Sequence, residues 1–248
     1  MARRATALAK ERAAGGDFLL LDSGSTLLGE QLANSTQGKV MVEAMDSLGY
    51  DAMVAASSDF SLGREVVLAR AKEASFATIS ANVVDAATGQ RLFPSHAIVE
   101  RGERKIAIIG LTGLGDLPSG NDLGLRVLDP LTAAKDTVNQ VRGQASVVLV
   151  LSHLGQDWDQ RLASEVPGIA AVIGAGTYAP DKEAWVAPGT GTVVVHPGSQ
   201  GEYLGVLRLR VNDEGRVVGS EWQARRLSGE YADDADMIEL IARHSRQQ

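Results

Sequence analysis

His153 is the residue whose type and position most directly suggest chemistry. It follows the apolar run at residues 147–151, which predicts a buried strand, and it precedes Gly155. Parallel α/β sheets bind ligands at the carboxyl ends of their strands, so an imidazole here could act as an acid, a base or a metal ligand. A structural or solvent-facing role is commoner for a histidine at such a position, and both interpretations stay open.

Other candidates for metal or acid–base chemistry are weaker. A zinc site built from one element needs histidines a few residues apart, which is not the spacing of His96, His153, His196 and His244. Asp157 and Asp159 could form an acid and base pair, but their position after His153 favours starting and capping the next helix. Residues 181–183 are interpreted as a solvated loop.

Short apolar runs and helical patterns alternate along the chain. Strands are predicted at residues 18–21, 52–55, 77–81, 105–111, 146–151, 171–174 and 193–196. Amphipathic helices are predicted around residues 41–48 and 131–141, the second starting at Asp129-Pro130. A hairpin at residues 203–211 and 216–222 and a short helix near Met237 follow. This alternation predicts an α/β fold with a largely parallel sheet.

Length and composition exclude several classes of protein. The chain has 248 residues, of which 44% are hydrophobic, and this predicts a single domain over residues 1–248. A net charge of −7 without a long Lys/Arg cluster argues against a nucleic-acid partner, and the absence of cysteine excludes a thiolate site. No run reaches the roughly 20 apolar residues of a membrane span. Charged residues at positions 10–12 interrupt the N-terminal region, so no signal peptide is predicted and the localisation stays unassigned.

Five sequence segments occur in the same order along this chain as the motifs of a known family, which they resemble. They are Leu21-Asp22-Ser23-Gly24-Ser25, residues 48–60, Ser80-Ala81-Asn82-Val83, Ser152-His153-Leu154-Gly155, and residues 195–205. Together they are similar to the calcineurin-like metallophosphoesterases, specifically the catalytic domain of the 5′-nucleotidase and UDP-sugar hydrolase branch. The resemblance implies two packed mixed sheets flanked by helices, an αββα sandwich.

The resemblance also implies a site whose metal ligands are mostly replaced. Active relatives hold a pair of divalent metals with Asp, Asn and His side chains. The corresponding positions here are Ser25, Ser57, Ser58, Gly176 and Tyr178, and Asp59 stands where the family has Glu. Only His153 matches a family ligand, as a vestige of the metal site. No metal cofactor and no catalytic residue are therefore expected.

We accordingly expect a catalytically inactive 5′-nucleotidase-like protein that serves as a binding or interaction module. Its neutral polar pocket would be lined by Ser25, Ser57, Ser58, Asp59, His153 and Tyr178. The alternative is a residual metal-dependent hydrolase of nucleotide or sugar-nucleotide phosphoesters, in which His153 and Asp59 would carry the chemistry.

The family's first strand, with its Asp-x-His-Gly motif, has no counterpart in this sequence. That strand lies inside the family's sheet, so its absence would leave backbone groups unpaired. A partner protein could fill the gap, the sheet could close in another way, or the start codon could lie upstream. The last alternative would also hide an export signal, and relatives are often exported.

Overall fold

A computed structural model describes residues 1–15, 18–113 and 123–246. The helices are α1 (Ala2–Ala13), α2 (Gln31–Ser35), α3 (Lys39–Leu48), α4 (Arg64–Glu73), α5 (Pro130–Val141), α6 (Gln156–Glu165) and α7 (Ala235–Arg246), with a 3₁₀ helix at Ser57–Phe60. The strands are β1 (Leu21–Asp22), β2 (Ala52–Val54), β3 (Ala77–Ile79), β4 (Val83–Asp85), β5 (His96–Arg101), β6 (Arg104–Thr112), β7 (Leu125–Val127), β8 (Val147–His153), β9 (Ala171–Gly174), β10 (Trp185–Val186), β11 (Val193–Val195), β12 (Tyr203–Val211) and β13 (Val217–Arg226).

A six-stranded sheet forms the centre of the fold, in the order β10-β11-β9-β8-β6-β5. Strands β11, β9, β8 and β6 are parallel, and the edge strands β10 and β5 are antiparallel to their neighbours. The run at residues 147–152 is buried throughout, as expected of a strand covered on both faces. The predicted largely parallel sheet is therefore confirmed.

Helices and a second sheet cover the two faces of this central sheet. On one face α5 and α6 pack on it, with Leu131, Ala134 and Leu162 in the same apolar cluster as Ala107 and Val150. On the other face lies the parallel sheet β1-β2-β3, whose Val54 and Ile79 share a cluster with Ile108 and Leu151. The two packed sheets flanked by helices agree with the predicted sandwich, but only the central sheet is mixed, because the described strands of the second sheet are all parallel.

The N-terminal boundary of α5 follows from local chemistry. The Asp129 side chain accepts a hydrogen bond from the Thr132 N–H at 2.8 Å, and Pro130 occupies the first helical position. Proline is tolerated there because the first helical N–H groups have no intrahelical acceptor. The predicted start of this helix is confirmed. Among the helices formed by the described residues, none is long and apolar enough to cross a membrane.

The remaining strands show where the sequence pattern was incomplete. The predicted hairpin is confirmed, but β13 continues to Arg226, four residues beyond the predicted end. The prediction for residues 18–21 is wrong in its bounds, because β1 comprises only Leu21–Asp22. Strands β4, β5, β7 and β10 were not predicted; three of them are two or three residues long, too short for a periodic pattern. Among the described strands, β1 pairs with β2 alone and forms a sheet edge.

Candidate functional site

Three strand ends converge on one cluster of polar side chains. Ser25 follows β1, Ser57 and Ser58 follow β2, and His153 is the last residue of β8. The Ser25 Oγ lies 3.2 Å from the His153 Nε2 and 3.5 Å from the Ser57 Oγ, and the Ser58 N–H donates to the Ser25 Oγ at 3.4 Å. Ser25 and His153 are 128 positions apart in the chain, and the packing of the two sheets brings them together.

The turn that carries Ser25 has an unusual backbone. Gly24 has φ +87° and Ser25 has φ +58°, in the left-handed region that residues with a side chain rarely adopt. A Cβ atom at position 24 would lie 2.5 Å from both the Val54 carbonyl oxygen and the Ala56 Cβ. Glycine is therefore required at position 24, because the turn is packed directly against the end of β2.

The buried side chain of Asp59 fixes the backbone of this turn by hydrogen bonds. Its side chain is 0% exposed, and its two oxygens accept hydrogen bonds from four backbone N–H groups. The donors are Thr26 and Leu27 to Oδ1, at 3.0 and 2.9 Å, and Ser25 and Ala56 to Oδ2, at 3.1 and 3.0 Å. Burial raises the pKa of Asp59 to about 6, and the N–H groups of Ala56 and Leu27 oppose that shift. Both oxygens are committed to the backbone, so Asp59 positions the turn.

The His153 ring is oriented by a backbone carbonyl. Its Nδ1 lies 2.8 Å from the Ser23 carbonyl oxygen, and the Ser23 hydroxyl donates to the Ile173 carbonyl oxygen at 2.8 Å. A carbonyl oxygen only accepts hydrogen bonds, so Nδ1 carries the proton of this contact. In the neutral ring Nε2 is then unprotonated and faces the Ser25 hydroxyl as an acceptor.

Tyr178, which the sequence predicts as a lining residue, differs from the other predicted lining residues in its exposure. It is 88% exposed, whereas Ser25, Ser57, Ser58, Asp59 and His153 are buried or half-buried. Its neighbour Thr177 instead turns inward, with an Oγ1 that is buried and has no hydrogen-bond partner. The Ser58 Oγ is buried without a partner in the same way.

A second buried polar network lies behind His153. The His196 Nε2 is 3.0 Å from the Asp159 Oδ2, and its Nδ1 is 2.8 Å from the Asp181 Oδ2. The Ser152 hydroxyl donates to the other Asp159 oxygen through a short hydrogen bond. Asp159 is 0% exposed and His196 is 1% exposed. The network therefore joins α6, the ends of β8 and β11, and the loop that carries Asp181.

Two sequence interpretations are corrected by this network. Asp159 lies in the first turn of α6, but its side chain points inward to His196 and does not cap the helix, whose N-cap residue is Gly155. The loop at residues 181–183 is exposed at Lys182 and Glu183, as predicted, but the Asp181 side chain is only 18% exposed and bonds to the His196 ring. Position 159 shares an apolar helix face with Leu162 and Ala163, and a carboxylate on such a face signals a buried partner.

The charges in this network perturb one another. Burial has the largest effect on His196 and lowers its pKa, but hydrogen bonds to Asp159 and Asp181 outweigh it, so the pKa is raised above the ordinary value of 6.5. Burial raises the pKa of Asp159, and the hydrogen bonds from His196 and Ser152 act in the opposite direction. The raised pKa of His196 favours a protonated ring, whereas burial leaves the pKa of Asp159 above its usual value and so opposes ionisation of its carboxyl group.

The side chains around Ser25 do not fit a two-metal centre. Hydroxyls are neutral and weak ligands, and the carboxylate of Asp59 is committed to backbone N–H groups. One imidazole, that of His153, remains at the cluster. Across residues 1–15, 18–113 and 123–246, no group of three or more His, Cys, Asp or Glu residues could hold a metal ion.

Several known proteins are similar in sequence to this chain. The chain is 30% identical to Protein UshA of Yersinia enterocolitica in an alignment that covers 78% of this chain and 41% of that protein. It is 28% identical to the snake venom 5′-nucleotidase of Crotalus adamanteus, over 96% of this chain and 44% of the relative. The chain thus spans less than half the length of these curated relatives. No family model matches.

The fold has a close counterpart among solved structures. The calcineurin-like phosphoesterase YfkN from Bacillus subtilis superposes with a TM-score of 0.87, covering 100% of this chain and 88% of that one. The sequence identity of the pair is 22%, so this likeness shows the fold alone.

Proposed function

Because this chain belongs to the calcineurin-like metallophosphoesterase superfamily, in its 5′-nucleotidase branch, we propose that it has lost metal-dependent phosphoester hydrolysis and retains the site as a ligand pocket. The observation that carries the proposal is the set of contacts around Ser25. Its hydroxyl bonds to His153, the one residue that matches a family ligand, and so occupies the Nε2 nitrogen of that ring.

The chemistry of the lining supports a ligand without a phosphate group. Ser25, Ser57 and His153 offer neutral donors and acceptors, and no guanidinium or ammonium belongs to the cluster. Phosphate groups in proteins are usually held by Arg, Lys, metal ions or several aligned N–H groups. The carboxylate of Asp22, which accepts hydrogen bonds from the Gly24 N–H and the Thr26 hydroxyl, adds negative charge beside the turn. The pocket therefore favours an uncharged polar ligand.

A second function is supported by family membership and by His153. In this alternative, the chain is a weak metal-dependent hydrolase of nucleotide or sugar-nucleotide phosphoesters, with His153 and Asp59 as its functional side chains. It requires Asp59 to leave its four backbone donors, at a cost of about 1–3 kcal/mol for each N–H left unpaired. Pairing of a partner strand with the β1 edge is a separate prediction.

Elemental analysis and an activity assay on one sample distinguish these functions. The purified chain is incubated with Mn, Fe, Zn or Ca, dialysed, analysed for bound metal and assayed on a nucleotide monophosphate. The binding function predicts substoichiometric metal and no turnover, together with a rise in melting temperature for an uncharged ligand from a small-molecule panel. Stoichiometric metal with turnover that is lost in His153→Ala would refute it and establish the alternative.

A further inference from the structure

Ser25 and His153 have the geometry of an activated nucleophile and its base. The Ser25 Oγ is 3.2 Å from the His153 Nε2, and the opposite ring nitrogen is held by the Ser23 carbonyl. A hydroxyl within hydrogen-bond reach of a base that a third group orients is the signature of nucleophilic catalysis. We infer that Ser25 is the nucleophile, and His153 the general base, of a metal-free hydrolysis of uncharged carboxylic esters. The pocket of the proposed function would be its substrate site.

The backbone at Ser25 supports this role independently. Ser25 comes three residues after β1 and has φ +58°, while Gly24 before it has φ +87°. A serine on a sharp, strained turn after a strand exposes its hydroxyl at the edge of the sheet, as in the nucleophile elbow of other hydrolases. Such a conformation costs about 1–3 kcal/mol and persists only where surrounding contacts enforce it. Here the four N–H bonds to Asp59 enforce it.

Ser58 provides the donor that a tetrahedral intermediate requires. The N–H groups of Ser25 and Thr26 are occupied by Asp59, so neither is available to a developing oxyanion. The Ser58 N–H points to the Ser25 Oγ from 3.4 Å, and the Ser57 hydroxyl lies 3.5 Å from the same atom. An oxyanion formed next to the Ser25 Oγ would accept from these two groups. Fixed donors of this kind stabilise charge that develops in the transition state.

The surrounding charges select the substrate class. The Arg4 guanidinium interacts with the carboxylate of Asp22, but none of the described hydrogen bonds of Ser25, Ser57 and His153 comes from an Arg or Lys side chain, so a phosphoester dianion bound there would lack a directly bonded cation. An uncharged carboxylic ester carries no such penalty. It needs one donor site for its carbonyl oxygen, which Ser58 and Ser57 offer.

The reaction balances with water as the only co-reactant. The Ser25 Oγ attacks the ester carbonyl carbon as its proton moves to the His153 Nε2. The tetrahedral intermediate collapses, the carbon–oxygen bond to the alcohol breaks, and the alcohol leaves with the proton from His153. Water then attacks the acyl-Ser25 ester and gives its proton to His153. The bond between the acyl carbon and the Ser25 Oγ then breaks, the Oγ takes the proton back from His153, and the carboxylic acid leaves.

Covalent labelling tests the nucleophile directly. The full chain is treated with a fluorophosphonate probe in the presence of a metal chelator, digested, and analysed by mass spectrometry, and the same samples are assayed on p-nitrophenyl acetate. We expect one label per chain, on the peptide that contains Ser25. Ser25→Ala and Ser25→Gly should both abolish label and turnover, and the glycine variant relieves the left-handed strain, so its folding is secured. Ser61→Ala, an exposed serine close in sequence, should label as the wild type does.

His153 gives a second readout that a structural role would not move. His153→Ala should lower the labelling rate by about 10²- to 10⁴-fold, the usual contribution of a general base, and added imidazole should restore part of it. Absence of label on the wild-type chain, or label and turnover that survive in Ser25→Gly, would overturn the inference. If a ligand still raises the melting temperature while no label forms, only the nucleophile is refuted. Stoichiometric metal with nucleotide turnover would refute the proposed function instead.

Discussion

Replacing Asp59 by Asn is the sharpest test of how the Ser25 turn is held. The carboxylate accepts four backbone N–H bonds at 2.9–3.1 Å, two at each oxygen. An Asn side chain keeps one oxygen, and its NH₂ group would face the other pair of N–H donors. Each buried N–H without an acceptor costs about 1–3 kcal/mol, so Asp59→Asn should lower the free energy of unfolding by about 2–6 kcal/mol.

The measurement is urea denaturation followed by circular dichroism at about pH 8, where Asp59 with its pKa of about 6 is ionised. Asp22→Asn is the matched control on the same turn. Asp22 accepts from the Gly24 N–H and the Thr26 hydroxyl through one oxygen only, so an Asn can keep both bonds. The Asp22→Asn variant should therefore lose less than about 1 kcal/mol of unfolding free energy. Hydrogen exchange should also show faster exchange of the Leu27 amide in Asp59→Asn than in Asp22→Asn.

Equal losses in the two variants would refute this reasoning, because they would mean that the second Asp59 oxygen contributes nothing. A large loss without faster exchange at Leu27 would also contradict it, since Leu27 donates directly to Asp59. Typical domains have about 5–15 kcal/mol of stability, so the expected effect is measurable in a chain that still folds.

Two further predictions concern the network behind His153. Because the folded-state pKa of His196 is raised above 6.5, the stabilisation by its charge is complete below pH 6.5 and is lost as the pH rises through the folded-state value. The free energy of unfolding of the wild type, measured by urea denaturation, should therefore fall from pH 6.5 upwards. In His196→Gln this fall with pH should be absent. If the two proteins gave parallel plots of unfolding free energy against pH, the charged pairing of His196 with Asp159 and Asp181 would be excluded. Gly174→Ala should lower the free energy of unfolding by about 1–3 kcal/mol or more, because the site is already fully packed. A Cβ atom at position 174 would lie 2.5 Å from the His196 ring and closer still to Asp159. Gly229→Ala, where nothing lies within 4 Å, is its control in thermal denaturation, and equal melting temperatures would contradict the packing.

Local patterns in the sequence predict the layout of the fold, and its ordered motifs indicate the branch of the family. Continuous apolar runs such as residues 147–151 predict strands buried on both faces, and the pattern at residues 131–141 predicts a helix that packs on them. These signals are local, because burial of one face repeats with the period of the element. They also place His153 correctly at the carboxyl end of β8.

The contacts between side chains that are distant in sequence follow only from the packing of the folded chain. Ser25 reaches His153 across 128 positions, and Asp159 reaches His196 across 37, so no periodic pattern carries either contact. Asp59 was predicted as a lining residue, but the fold turns its carboxylate to four backbone donors because a buried charge needs hydrogen bonds. A sequence pattern shows which face of an element is buried. The partner on that face is chosen only when distant elements pack together.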